Sequence, residues 1–213
     1  MPSILRDISI PLVVLCFVGA SITISILITY SLDWRVWQYD NPNITTIWLG
    51  LSKYCYLPKD PAKLSRILEK VCIKMNATLE FPWEITLSQD WMSLATVMQG
   101  AALLFTFFGI LTVLKKEVHA PFYPWFQVAG ICLMLGSIIV LGTVSWNFYL
   151  DSVNHPFNYP TNFLLLDIPM HRNMGAATPL GITASFLMLP NGIMLLIHGC
   201  RLRPDSRVHP LEF

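Results

Sequence analysis

Residues 8–32 read ISIPLVVLCFVGASITISILITYSL and contain no Asp, Glu, Lys or Arg. A helix needs about 20 apolar residues to cross a hydrocarbon core ~30 Å thick, and this run is long enough. It is also longer than the roughly 7–15 apolar residues of a signal peptide, and no A-x-A-like cleavage site ends it. The stretch therefore predicts a first, uncleaved membrane span.

Three further charge-free stretches of similar length follow. They lie between Asp90 and Lys115, between Glu117 and Asp151, and between Arg172 and Arg201. We predict spans at about 92–114, 122–150 and 174–200. The composition agrees, because 54% of the residues are hydrophobic and 13% are charged, against about 25% charged in soluble domains. A soluble protein with buried helices is disfavoured, since no amphipathic helices are present to surround them.

The predicted organisation is a single tetraspan domain over 1–213. Two loops, about 33–91 and 151–173, lie on one side, and a tail, 201–213, lies on the other. The first loop carries two Asn-x-Thr sequons, at Asn43 and Asn76, which are candidate glycosylation sites in an extracellular loop.

The cysteines predict one disulfide. Cys16 and Cys132 fall within spans and Cys200 lies at the end of the last, which leaves Cys55 and Cys72 in the first loop. Their pairing by elimination places that loop in an oxidising compartment, and the bond contributes about 3 kcal/mol. Two free thiols are the alternative.

The basic residues predict that both termini are cytoplasmic. The chain has 14 Lys and Arg, of which six lie on the predicted cytoplasmic side and 14 − 6 = 8 on the other. Only charges near span ends set orientation. Six of the outer eight lie in the middle of the first loop, so the count near the span ends is six inside against two outside.

The residue pattern does not indicate a catalytic or an ion-conducting function. No predicted span contains a charged side chain of the kind that marks ion paths and proton relays. The five histidines are scattered over different loops, so we predict no metal, no cofactor and no enzyme activity. The net charge of +1 indicates no nucleic-acid partner. A transporter or membrane enzyme is the least favoured class.

The first loop has its own local structure. Residues 34–39 alternate apolar and polar side chains and 44–51 have high strand propensity, so we predict two strands joined by a turn at 40–43. Asp60-Pro61 resembles a helix start, and Leu64, Ile67, Leu68 and Val71 follow at helical spacing. We therefore predict a short helix over 61–74.

These loop residues resemble the first-loop pattern of the claudin family, within the peripheral-myelin-protein and claudin superfamily. The matching residues are Trp34-Arg35-Val36, Trp48-Leu49-Gly50-Leu51, Cys55 and Cys72. Residues 87–90, Ser145-Trp146 and 156–160 are also similar to claudin segments. Ser52 stands where the family places a second tryptophan. The nearest resemblance is to the divergent claudin thirty-four subgroup.

The resemblance implies a four-helix membrane bundle with a small extracellular cap of β-sheet and short helix. It implies a plasma-membrane adhesion protein at tight junctions, which forms or modulates a paracellular barrier together with lipid and with the same or related claudins, in cis and in trans. Pore-lining residues would be Ile73 and Lys74. Second-loop contacts would come from Phe157, Tyr159 and Pro160.

Two terminal features suggest further partners. Cys200 is juxtamembrane and is a candidate palmitoylation site. The terminus Leu211-Glu212-Phe213 fits a PDZ ligand, in which Leu211 and Phe213 are the hydrophobic positions. The alternative function is a non-polymerising tetraspan subunit of a channel or adhesion complex, because sugars at the two sequons would obstruct tight packing between loops.

Overall fold

In the computed structural model the described residues are 2–40, 44–58, 70–74, 82–115, 123–155 and 169–202. Four long helices dominate them: α1 (Pro2–Tyr30), α2 (Trp83–Lys115), α3 (Tyr123–Ser152) and α4 (Ala177–Arg201). Each helix is long and apolar enough to cross a membrane. The predicted four-helix membrane architecture is confirmed.

Five short strands form one antiparallel sheet. They are β1 (Arg35–Gln38), β2 (Ile44–Leu49), β3 (Lys53–Pro58), β4 (Val71–Lys74) and β5 (His171–Met174). Their order across the sheet is β4-β3-β2-β1-β5. The sheet lies where α1 and α3 end and α2 and α4 begin, which we call the sheet end of the bundle; the opposite end is the tail end. The predicted small β cap is therefore confirmed.

The four helices are arranged around a common core in the order in which they occur in the chain. α1 and α3 each pack against both α2 and α4. Met92, Phe126 and Leu133 are fully buried between the helices, whereas Leu27 and Phe186 are more than 60% exposed. Apolar side chains thus cover the outside of the bundle as well as its inside, as expected where hydrocarbon is the solvent.

Glycines and polar side chains set the helix contacts. A Cβ on Gly130 of α3 would lie 2.8 Å from the carbonyl oxygen of Gly192 on α4, so the two backbones nearly touch. This close approach is typical of small residues in membrane helices. Gln99 Nε2 donates a hydrogen bond of 2.9 Å to Ser25 Oγ, which joins α2 to α1 within the apolar core.

Three differences between the element bounds and the predictions change the assignment of a segment. The predicted helix over 61–74 is wrong for Val71–Lys74, which pairs with β3 as strand β4; the rest of it lies outside the described residues. Met174, predicted in the fourth span, ends β5, and α4 begins at Ala177. Residues 83–91, assigned to the first loop, are already helical. Strand pairing overrode the local helical spacing, and the charges of Glu84 and Asp90 hid the early start of α2.

Candidate functional site

The sheet has two chemically different faces, because alternate side chains of a strand point in opposite directions. Trp37, Ile47, Leu49 and Tyr54 share one face and form a buried apolar cluster. Arg35 and Trp37 lie on this face and bond to residues of α3, so we call it the bundle face. The opposite, far face carries Trp48, over whose ring the Lys70 ammonium lies 3.8 Å from the centroid.

The residues of the first-loop motif do not all lie in the same part of the structure. Trp34 is 4% exposed, packs in the helix core and donates from its indole N–H to the Ile28 carbonyl at 2.8 Å. Leu51 is buried in the same core. Trp34 and Leu51 therefore fix the sheet on the bundle, whereas Trp48 lies on the far face.

Gly50 is required by close backbone contacts at the turn between β2 and β3. Its amide donates a hydrogen bond of 3.0 Å to the Lys53 carbonyl. A Cβ at this position would overlap the Ser31 carbonyl oxygen and lie 2.9 Å from that of Lys53. The β2–β3 turn therefore packs against Ser31 and Leu32, which follow α1, and leaves no room for a side chain at position 50.

A buried polar network joins the sheet to α2 and α3, and we call it the polar seat. Arg35, which is 4% exposed, donates from Nη2 to Asn147 Oδ1 at 2.7 Å. Asn147 Nδ2 donates to Ser88 Oγ at 2.9 Å, and Ser88 Oγ donates to the Glu84 carbonyl at 2.7 Å. A buried guanidinium is tolerated only where such hydrogen bonds replace water.

Two more polar contacts extend the seat at the end of α3. Trp37 Nε1 donates to Asp151 Oδ1 at 3.3 Å. His155 Nε2 lies 3.1 Å from Glu84 Oε1, and the Glu84 side chain is almost fully buried. Both contacts link residues more than 70 positions apart in the chain. Directional bonds thus hold the sheet to α3, and Asn147 and His155 in turn connect the end of α3 to α2.

The polar seat was not predicted from the sequence. One signal was present: Arg35 falls in phase with Trp37 on the face of β1 that points inward. A charged residue in the buried phase of a strand indicates a buried partner. The identity of that partner, Asn147, depends on the packing of β1 against α3 and has no local signature.

We predict that Asn147→Ala lowers the free energy of unfolding by about 2 kcal/mol, because it removes an acceptor from a buried cation and a donor from Ser88. The measurement is the unfolding midpoint of the detergent-purified protein. Asn173→Ala is the matched control, since Asn173 is an exposed asparagine on β5. Equal midpoints for the two variants would show that the polar seat adds nothing to stability.

The disulfide lies at the β4 edge of the sheet. Cys55 and Cys72 occupy directly opposed positions on β3 and β4 and are bonded, with an S–S distance of 2.02 Å. The adjacent pair Lys53 and Lys74 is also directly opposed. On the bundle face, burial raises the pKa of Tyr54, and the charge of Tyr56 raises it further, so this phenol is neutral at physiological pH.

The structure separates the two predicted pore-lining residues. Ile73 is partly buried and packs against the apolar cluster of the bundle face. Lys74, the next residue on the same strand, is exposed and points to the far face. Only Lys74 can therefore present its side chain to a space in front of the far face.

Several predicted site residues lie outside the described part of the chain. They are the sequons Asn43 and Asn76, the second-loop residues Phe157, Tyr159 and Pro160, and the terminal Leu211 and Phe213. Cys200 is described: its thiol is exposed at the tail end of α4, where Gln127 Nε2 lies 3.5 Å from the sulfur. Among the described residues, no group of three or more His, Cys, Asp or Glu is placed to hold a metal ion.

Four membrane-crossing helices, capped at one end by an antiparallel sheet with an internal disulfide, define a tetraspan membrane protein with a folded loop domain. The sequence profile of the PMP-22/EMP/MP20/claudin tight-junction family matches residues 21–197, so the chain belongs to that family. A search of curated proteins found no significant match to an individual relative.

Membership of the family sets the general role. Its members are structural membrane proteins rather than enzymes, and they act in tight junctions or in related tetraspan assemblies. They typically contact lipid and other claudins. The chain is accordingly a multi-pass protein of the plasma membrane.

Proposed function

We propose that this chain is a claudin-type component of cell–cell contacts that forms or modulates a paracellular barrier at tight junctions. The observation that carries the proposal is the sheet itself, which is fixed to the bundle through Trp34, Gly50 and the polar seat. A rigidly held sheet can present the same far face and the same edge to every neighbouring copy. Such repetition is what a polymer requires.

The proposed orientation places the sheet end outside the cell and both termini in the cytoplasm. The Cys55–Cys72 disulfide supports this direction, because structural disulfides persist in oxidising compartments. The distribution of basic residues near the span ends supports it independently. Under this orientation the sheet faces the space between cells.

Strand β4 is the proposed site of contact with the same or related claudins. It is the last strand of the described sheet on the disulfide side, so its outer edge can accept hydrogen bonds from another chain. It has only four residues and ends at an exposed lysine, Lys74. Short length and an edge lysine restrict indiscriminate strand pairing, which favours a specific partner over aggregation.

The far face beside the disulfide is basic. Lys53 and Lys74 are opposed there, and Lys70 lies nearby over Trp48. Lysines placed together along an ion path attract anions and repel cations within a Debye length of ~8 Å. We therefore propose that Lys74 contributes to a preference for anions, or to exclusion of cations, between cells.

Lys74→Asp should shift the paracellular permeability ratio toward cations by roughly two-fold, since it replaces one screened positive charge with a negative one. The measurement is the dilution potential across an epithelial layer in which the chain forms strands. Lys74→Arg, which keeps the charge, should leave the ratio unchanged. An unaltered ratio in Lys74→Asp would remove Lys74 from the proposed path.

The alternative is a non-polymerising tetraspan subunit of a channel or adhesion complex. The sequons motivate it, because Asn76 follows the edge lysine by only two residues and Asn43 lies in the β1–β2 connection. A sugar at Asn76 would shield the edge of β4. Glycosidase treatment distinguishes the two functions: a shift in mass that Asn76→Gln abolishes would favour the alternative, and no shift would favour the barrier.

Three finer assignments accompany the proposal. Palmitoylation of Cys200 is supported by the exposure of its thiol beside Arg201. A PDZ scaffold would bind the terminal Leu211 and Phe213. Relationship to the claudin thirty-four subgroup rests on the first-loop residues. Contacts across cells would add the second-loop residues Phe157, Tyr159 and Pro160.

A mixed culture of expressing and non-expressing cells tests the adhesive part of the function. The tagged chain should accumulate at borders between two expressing cells and remain low at borders with a non-expressing neighbour. This pattern follows if like copies meet across the gap. Equal signal at both kinds of border would contradict homophilic contact and direct attention to the alternative.

A further inference from the structure

A groove opens between α2 and α3 at the sheet end of the bundle, on the outer surface of the helices. Its volume is about 370 Å³, within the roughly 300–1,000 Å³ of small-molecule sites. Three tryptophans form its walls: Trp83 and Trp91 on α2 and Trp146 on α3. All three are at least 40% exposed. Leu87 completes the apolar lining on α2.

Gly142 lines the groove and adds no side chain to it. No atom lies within 4 Å of the position that a Cβ on Gly142 would take. Two turns deeper in the membrane the same helices are in contact, since a Cβ on Gly136 would lie 3.6 Å from the Ala95 carbonyl oxygen. The opening is therefore a local feature and does not reflect loose packing of α2 against α3.

The two hydroxyl groups that line the groove, on Ser88 and Thr143, already donate hydrogen bonds within the protein. Ser88 Oγ donates to the Glu84 carbonyl and Thr143 Oγ1 donates to the Ile139 carbonyl. Both hydroxyl protons point at backbone oxygens, so neither demands a polar ligand. What remains is an aromatic surface whose indole N–H groups can donate at the membrane–water boundary.

The groove crosses that boundary. Tryptophans are enriched at the level of the lipid headgroups. Trp91 directly precedes the predicted span 92–114, and Trp146 lies four residues inside the outer end of the predicted span 122–150. Trp83 lies ~12 Å further toward water along α2, and Gly142 lies ~6 Å deeper than Trp146 along α3, at 1.5 Å per residue. One end of the groove is thus in hydrocarbon and the other is at the polar surface.

We propose that this groove binds a sterol, with its fused rings along Gly142 and the tryptophans and its single hydroxyl toward Trp83. The groove is surrounded by lipid because its walls belong to membrane-crossing helices. Among membrane lipids, a sterol combines a flat rigid body with one polar group at its end. A rigid ligand loses less conformational freedom on binding than a flexible acyl chain does.

A clickable photoreactive sterol, applied to the purified full-length chain in nanodiscs, tests the proposal. The adduct should map to peptides containing Trp83–Trp91 or Trp146. Gly142→Leu places a side chain in the open space beside Gly142, where a Cβ meets nothing within 4 Å, and should reduce labelling about five-fold. Gly100→Leu is the matched control, because a Cβ on Gly100 also meets nothing within 4 Å, and its labelling should equal that of the unchanged protein.

Competition separates a sterol from other lipids. Excess unlabelled sterol should abolish the adduct, and excess dioleoyl phosphatidylcholine should not. Full labelling of Gly142→Leu, or equal competition by the phospholipid, would overturn the proposal. If Gly142→Leu does not purify as a folded protein, Trp91→Ala provides the same comparison, with reduced labelling supporting the site and unchanged labelling opposing it. None of these results depends on whether the chain forms intercellular strands.

Discussion

Gly50→Ala is expected to prevent correct assembly of the sheet and to lower the free energy of unfolding by about 3 kcal/mol or more. The added methyl would overlap the Ser31 carbonyl oxygen and crowd the Lys53 carbonyl oxygen and the Leu32 Cα. All three are backbone atoms, so no side-chain rotation can relieve the overlap, and either the turn or the end of α1 must move. Overpacking of a tight site by one methyl group already costs 1–3 kcal/mol where neighbours can adjust.

The thermal unfolding midpoint of the detergent-purified protein, together with surface biotinylation in cells, measures this effect. Gly100→Ala makes the same substitution inside α2, where a Cβ meets nothing within 4 Å. Alanine is favoured over glycine in a helix, so this control should match or exceed the unchanged protein. Similar midpoints and surface levels for Gly50→Ala and Gly100→Ala would refute the role assigned to Gly50.

Loss of the Cys55–Cys72 disulfide is expected to lower the free energy of unfolding by about 3 kcal/mol. The bond closes a segment with a sequence separation of 17 and ties β4 to β3. Closing a loop of this length restricts the unfolded chain by about that amount. Because β4 has only four residues, its pairing with β3 should be the first part of the sheet to fail.

Cys55→Ala/Cys72→Ala tests this expectation while leaving no unpaired thiol at the site. The unfolding midpoint should fall, and proteolysis between the two positions should accelerate. Dithiothreitol should destabilise the unchanged protein to the same level and leave the double variant unaffected. Cys16→Ser, which alters an exposed free cysteine in α1, is the control. A midpoint insensitive to both the substitution and the reductant would exclude a stabilising role.

The membrane architecture could be predicted because its signal is local. An absence of charge over 8–32 and over three later stretches requires a lipid environment whatever the rest of the chain does. The early start of α2 was missed for the converse reason: Glu84 and Asp90 interrupt the apolar pattern, although Glu84 is buried against His155 and so tolerated within the helix.

The β1–β2 hairpin could be predicted because residues 34–39 alternate apolar and polar side chains and residues 44–51 have high strand propensity. In contrast, β5 reads His171-Arg172-Asn173-Met174 and becomes a strand by pairing with β1, which is distant in the chain. Strand β4 was mistaken for helix because Val71 continues a helical spacing that begins at Leu64. Long-range pairing decided both segments, and local propensity does not contain that information.

In the candidate site, too, features with a local sequence signal could be predicted and features set by long-range packing could not. The disulfide followed from the predicted topology, because only two cysteines remained in the first loop. The separation of Ile73 from Lys74 onto opposite faces depended on knowing that this segment is a strand. The polar seat required the docking of Arg35 beside Asn147, which are 112 positions apart. No single stretch of the sequence records that contact.

Freeze-fracture microscopy tests the proposed barrier function most directly. The chain would be expressed in fibroblasts that lack tight junctions, and contacts between two expressing cells would be fractured and replicated. We expect continuous intramembrane strands at those contacts, and their loss in Gly50→Ala but not in Gly100→Ala. Protein that reaches the surface and leaves only scattered particles would contradict polymerisation and favour the role of a tetraspan subunit in another complex.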